Sequence, residues 1–335
     1  MNNRISGLDA VRYIALLCVI ATHFFDVLQN LGYAVHRPAL LNRMAELVIA
    51  YFFVSSAFLI TTLFLEEYDR KGSFSLRKFF YRRALRLLPA YFILILLVYF
   101  LVFQLPYFFL NEQPGAYFFQ VHPSVLNFLF LVPHINEFFY PSAPYLFHTG
   151  TLGVEFQFYI IAGLLFYFSR KWYFKAWMGL LVLIGLFIYI HNMHGQLLRN
   201  NGLGLLNTLG VYLVYAQLHL FAAGVGAAFI YYRLKNKPVS PFARVASLLL
   251  FAGTWLSYLL WAGGDWNDLW TGAVNFTLLL FFMYHQPALA AFPYAKATQF
   301  LGNISYGAYL FHYIVMVVVV KTMSAMFNLS VTANL

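Results

Sequence analysis

Long apolar runs recur through the chain, at about residues 10–30, 44–65, 88–109, 148–169, 173–191, 204–232, 243–262, 269–285 and 301–320. Each approaches or exceeds the ~20 residues that a helix needs to cross bilayer hydrocarbon, and none alternates in polarity as a barrel strand must. A chain of this kind has to satisfy its backbone hydrogen bonds within each segment, so the expected fold is all-α: a polytopic transmembrane helical bundle of about nine spans. With 62% apolar and 10% charged residues, it has too little polar surface for a soluble domain of 335 residues. The 204–232 run is overlong and carries Gly204, Gly210, Gly224 and Gly226 after Gly202. It reads as one tilted helix or as a broken one.

The charges sort between the runs. The net charge of +10 could suit a nucleic acid, but the basic residues cluster in the connections and not on a soluble face. With a cytoplasmic amino terminus and nine crossings, 17 Lys and Arg fall on the cytoplasmic side, against Arg37, Arg43, Arg199 and Lys321 outside. The amino terminus is therefore expected inside and the carboxyl terminus outside. Arg4 precedes an apolar run as in a signal peptide, but Asp9 and Arg12 interrupt that run and no small-residue cleavage site follows, so it reads as an uncleaved first span. The segment from Gln104 to Phe147 has no Lys or Arg, is rich in Pro and aromatics, and with His122, His134 and the adjoining His148 is expected to fold over the outer mouth. The single cysteine, Cys18, gives neither a disulfide nor metal-ligand spacing, and no metal is expected. No internal repeat or second soluble domain interrupts residues 1–335, which read as one transmembrane domain.

Polar residues inside such runs are costly and point to function. The first span carries Asp9, Arg12 and His23, with the imidazole ~16 Å deeper than Arg12 at 1.5 Å rise per residue. Measured from the nearest inner helix end, Ser56 lies ~15 Å in, Glu155 ~22 Å and His312 ~16 Å, so four polar groups from four spans are expected in one layer near the midplane. Arg83 and Arg86 lie one turn apart on one face, where guanidinium forks suit phosphates; a positive-inside anchor on anionic lipid is the plainer alternative.

Five stretches carry a resemblance. They are Gly7-Leu8-Asp9-Ala10-Val11-Arg12 with His23 eleven residues beyond the arginine; Phe52-Phe53-Val54-Ser55-Ser56-Ala57-Phe58-Leu59-Ile60; Arg83 and Arg86 ahead of Pro89; His148-Thr149-Gly150-Thr151-Leu152-Gly153-Val154-Glu155-Phe156-Gln157-Phe158-Tyr159; and Asn303-Ile304-Ser305-Tyr306-Gly307-Ala308-Tyr309-Leu310-Phe311-His312. In this order they resemble the integral-membrane acyltransferase family 3, whose members move acyl groups from cytoplasmic acyl-CoA to acceptors such as cell-envelope sugars. Ala57 stands where that family has glycine. Gly150, Thr151 and Gly153 replace its Trp, Ser and Ser, which is expected to leave room beside Glu155. Members of that family typically have ten spans, so a count of nine agrees with a missing last helix, in a truncated chain or a divergent short member.

The resemblance implies an acyl-CoA-dependent O-acyltransferase in a bacterial cytoplasmic (inner) membrane. Acyl-CoA, most simply acetyl-CoA, is the donor substrate, no cofactor is bound, and a glycan or other hydroxyl is the acceptor. His23 is the expected general base, with transient acylation of the same imidazole as the alternative, and Glu155 its helper; Arg12, Arg83 and Arg86 hold the donor; Asp9, Ser56, Tyr306 and His312 complete the pocket. The competing expectation is a secondary transporter or proton-coupled carrier, in which buried His and Glu relay protons. No repeated half or paired broken helices favour it.

Overall fold

A computed structural model of the protein describes residues 8–108, 125–135, 145–200, 204–261, 267–285 and 295–327. The described residues form helices and connecting turns, with no strand among them. Arg4, His122 and Gly202 lie outside the described residues, as do 109–124 and 136–144 of the expected outer cover.

The first three helices are α1 (Leu8–Asn30), α2 (Ala39–Lys71) and α3 (Leu76–Leu97). Helix α2 ends because Gly72 takes the left-handed conformation, φ 69°, and returns its N–H to the Tyr68 carbonyl. Ser75 then caps α3 by accepting from the Lys78 N–H. Pro89 lies inside α3, so Arg83 and Arg86 are on the same helix as the apolar run behind them and not in a connection before it. The helix passes into a π-turn at Val98–Val102.

A short helix, α4 (Val125–Leu129), is tied down by the Tyr91 hydroxyl on the Phe128 carbonyl, 3.1 Å. Then come α5 (Thr149–Asn200), α6 (Gly204–Tyr215), α7 (Leu218–Leu234), α8 (Pro241–Trp261), α9 (Asn267–Tyr284) and α10 (Ala295–Phe327).

Helix α2 is the axle of the bundle. Its most apolar window is 78% buried, against 11% for that of α8, which lies at the edge. Helix α7 packs directly on α2, and a Cβ at Gly224 would collide with the Val54 carbonyl and Ala57. Only glycine permits that approach, the usual device for tight packing where no hydrophobic effect drives helices together.

Helix α5 is helical throughout yet turns back on itself. The rings of Phe158 and Trp177 lie 5.4 Å apart, whereas nineteen residues of straight helix would separate them by ~28 Å. Phe166 and Tyr173 flank the turn with centroids 5.3 Å apart. Helix α7 runs parallel to the first arm, with Phe221 stacked on Phe158 at 4.3 Å. Helices α6 and α7 run antiparallel to the second arm: Phe229 meets Phe174 at 4.8 Å, and Asn207 bonds His191 at 3.0 Å. The 204–232 run is broken, bending by 50° between α6 and α7. The break falls at Gln217, φ 57°, and not at a glycine.

Six helices among the described residues are long and apolar enough to cross a membrane, or seven if the bent pair counts as one span. Two of the nine expected runs do not stand as separate spanning helices by this measure of length and composition. The runs at 148–169 and 173–191 are the two arms of one helix, and α9 is absent from the helices that qualify.

Basic residues gather at one end of the bundle, where Glu67 pairs with Arg82 at 3.1 Å and with Lys71 at 3.6 Å and Arg170 lies 3.7 Å from the Tyr68 ring centroid. At the opposite end Asp26 pairs with Arg37 at 2.7 Å, Tyr33 bonds Ser324, and Lys321 donates to the Tyr107 carbonyl.

Candidate active site

The expected single polar layer is two separate groups. His23, on α1, has Nδ1 2.6 Å from Nε2 of His312 on α10, their rings nearly parallel at 16°. His312 Nδ1 lies 2.5 Å from the Tyr309 carbonyl one turn earlier. A carbonyl oxygen only accepts, so for a neutral pair the proton of His312 is on Nδ1 and its Nε2 carries a lone pair. His23 Nδ1–H then donates to that lone pair, and His23 Nε2 is left as a free base. The carbonyl thus sets the tautomers of both rings.

His148 joins this group, its ring 5.0 Å from that of His312. Its Nε2–H donates to the Leu310 carbonyl at 3.0 Å, while Nδ1 is buried without a hydrogen-bond partner. Phe147 and Tyr313 set their edges toward His23 at 4.8 Å and 6.3 Å. This group lies toward the end that holds Asp26 and Arg37: His23 is seven residues, ~10 Å, from the end of α1, and not at its middle.

The second group sits further along the first arm of α5. Ser56 and Tyr159 both donate to the same Glu155 carboxylate oxygen. Seven residues separate His148 from Glu155, ~10 Å along a helix, so the carboxylate is a separate anchor and not a contact of His23. Arg83 lies over the Tyr159 ring at 5.6 Å, and its charge interacts with those of Glu155, Arg86 and Arg12. Arg12 pairs with Asp9 at 3.8 Å, where a Cβ on Gly302 would come within 2.9 Å of the Asp9 Cβ and 3.2 Å of its carbonyl oxygen. Arg83 is half-buried and Arg86 exposed. Three guanidinium groups therefore converge at the basic end, beside one carboxylate held by two hydroxyls.

Two bridges connect the groups. Tyr309 hydroxyl bonds Thr151 at 2.6 Å and donates to the His148 carbonyl at 2.8 Å. Tyr306 hydroxyl donates to the Leu87 carbonyl at 2.8 Å, tying α10 to α3, and its ring lies within electrostatic reach of Glu155 and Arg86.

The room expected beside Glu155 at Gly153 is already filled. A Cβ there would collide with His134 Nδ1 and approach the Pro133 ring at 2.9 Å. His134 is fully buried and bonds Tyr212 at 3.2 Å, and Gln157 donates to the same hydroxyl at 2.7 Å. Of the residues gathered here, His148, Tyr159 and Tyr309 have no assigned role in the sequence reading, although each stands in one of the quoted motifs. Among the described residues no cluster of His, Cys, Asp and Glu is arranged to hold a metal.

Comparison with known proteins bears on what these groups do. A family model described as an acyltransferase domain matches residues 5–331. The chain is 25% identical over 340 residues to a peptidoglycan O-acetyltransferase of Listeria monocytogenes, covering 92% of this chain and 49% of that protein. It is 26% identical over 334 residues to an O-acetyltransferase of Staphylococcus aureus strain NCTC 8325, covering 93% and 51%. A shorter match, 29% over 248 residues, covers 70% of this chain and 36% of a protein of Staphylococcus aureus strain COL. The chain thus spans between about a third and a half of the curated relatives it matches. No solved structure matches it. Five motifs in register and a match over nearly the whole length agree: the chain belongs to the integral-membrane acyltransferase family 3.

Proposed function

We propose that the protein is a membrane O-acetyltransferase that takes the acetyl group of acyl-CoA at its basic end and delivers it to a hydroxyl at the histidine end. The observation that carries the reading is the chain from the Tyr309 carbonyl through His312 to His23, which leaves His23 Nε2 unprotonated and half-buried. That nitrogen is suited to take the proton of an acceptor hydroxyl as its oxygen attacks the thioester carbonyl. The carbon–sulfur bond then breaks, and the departing CoA sulfur receives the proton from the His23 imidazolium. His312 shares the positive charge while it lasts. Arg12, Arg83 and Arg86 bind the phosphates of the donor, and the pantetheine arm crosses the ~16 Å between Arg12 and His23.

Glu155 serves the donor side in this reading: it orients Arg83 across the Tyr159 ring and is held by Ser56. In this reading the basic end faces the cytoplasm, as the positive-inside rule favours, and the histidine end lies toward the outer face of a bacterial cytoplasmic membrane. The acceptor class is a cell-envelope glycan hydroxyl, supported by the named acceptor of the Listeria relative.

The test is transfer of labelled acetyl from acetyl-CoA by the purified chain in lipid nanodiscs, to a soluble glycan fragment and to water. Release of CoA that depends on His23 supports the reading. Proton flux through liposomes holding the protein, with no CoA release under any condition, replaces it with the carrier.

A further inference from the structure

A cavity of about 410 Å³ lies away from the candidate active site, between the second arm of α5, α7 and α9. Its walls are apolar, Phe174 and Met178 on one side and Leu269 and Phe276 on another, and it runs along α7 from His219 to Arg233. Fourteen residues separate those two, ~21 Å, a large part of the ~30 Å hydrocarbon layer. His219 is 2% exposed, and among the described residues neither ring nitrogen makes a well-formed hydrogen bond, although the Asp268 carbonyl faces the ring. A neutral imidazole has one donor and one acceptor, and leaving either buried without a partner is costly. Among the described residues no side chain hydrogen-bonds the ring.

We propose that this cavity binds one glycerophospholipid: an acyl chain in the slot, its ester carbonyl accepting from His219, and an ammonium-bearing head beside Asp268. At membrane depth the neighbouring medium supplies acyl chains and, just below the headgroups, ester carbonyls. His219 stands in the first turn of α7, level with the first turn of α9, so it is near one surface, where such carbonyls lie. The rim there is acidic. Asp268 and Glu46 interact through their charges, and the nearby Arg43 donates to the Leu259 carbonyl. That favours an ammonium head over an anionic one. At the far end the slot is lined by the exposed Arg233.

Native mass spectrometry of the full chain in detergent, with added dioleoyl phosphatidylethanolamine, its diether analogue, or dioleoyl phosphatidylglycerol, tests this. The diester phosphatidylethanolamine is expected to be retained one to one, about tenfold more tightly than the diether form, the worth of one hydrogen bond. His219→Leu should erase that difference, His219→Gln should keep part of it through its amide donor, and Ala273→Phe, which fills the slot, should lose both lipids. Wild-type protein that retains diether and diester lipid equally, or phosphatidylglycerol as well as phosphatidylethanolamine, overturns the assignment, as does Ala273→Phe that binds normally.

Discussion

The two polar groups of the bundle are built on opposite plans. Around His23, neutral rings are linked by a hydrogen bond and a backbone carbonyl, with aromatic edges as walls. Around Glu155 the parts are charged, with a carboxylate satisfied by two hydroxyls and guanidinium groups nearby. The first arrangement can take up a proton and spread the resulting charge over two stacked rings. The second is built of charged groups and is suited to hold an anion. Chemistry and donor binding are therefore separable along the bundle, and substitutions should divide them.

The largest effect should follow from His23→Ala. If the histidine group does the chemistry, acetyl transfer falls by about 10²–10⁴-fold while acetyl-CoA binding, followed by calorimetry, is unchanged. Normal transfer by the folded variant would break the division at once. Next comes His312→Ala, which leaves His23 in place but removes what sets its tautomer. A drop of roughly 10²-fold in turnover, with the pH–rate profile shifted and KM for acetyl-CoA kept, identifies a positioning role; an unaltered profile would reduce His312 to packing.

The charged group should respond in affinity. Arg83→Ala is expected to weaken acetyl-CoA binding by about ten- to hundredfold with little change in single-turnover rate, and Arg83→Lys to restore little of it, since an ammonium lacks the planar fork. Exposed Arg86→Ala should do the same to a lesser degree. The smallest effect is expected of Glu155→Gln. An amide oxygen still accepts from Ser56 and Tyr159, so a several-fold rise in KM sharpens the comparison, whereas complete loss of turnover would move Glu155 to the chemical side.

Much of the bundle was legible in the sequence because membrane spans are defined by length and polarity alone. The turn within α5 illustrates this: Arg170 and Lys171 interrupt the hydropathy, and Phe158 meets Trp177 across the two arms. Depth was less legible. Counting from helix ends placed His23 and Glu155 in one layer, because the count assumes helices whose ends lie level. Helix α2 has 33 residues and α1 has 23, so equal depth in residues is not equal height in the bundle. The partner of His23 was within reach, since His312 was among the candidates, but pairing between α1 and α10 depends on rotation about each axis. The role of Gly153 was out of reach, because what fills its space comes from His134, nineteen residues earlier and across a connection.

The close approach of Gly302 to Asp9 has a consequence for how accurately the histidines are aimed. Helices α1 and α10 meet there backbone to backbone, and again where Asn30 bonds Tyr313 at 3.1 Å and Tyr33 bonds Ser324. A pair of rods pinned near both ends behaves as a vernier: sliding α10 by one residue would shift its ring by ~1.5 Å and swing it by ~100°. The 2.6 Å spacing of the two rings would not survive that error. A bulkier residue at position 302, remote from the imidazoles, would thus throw them out of alignment without touching either.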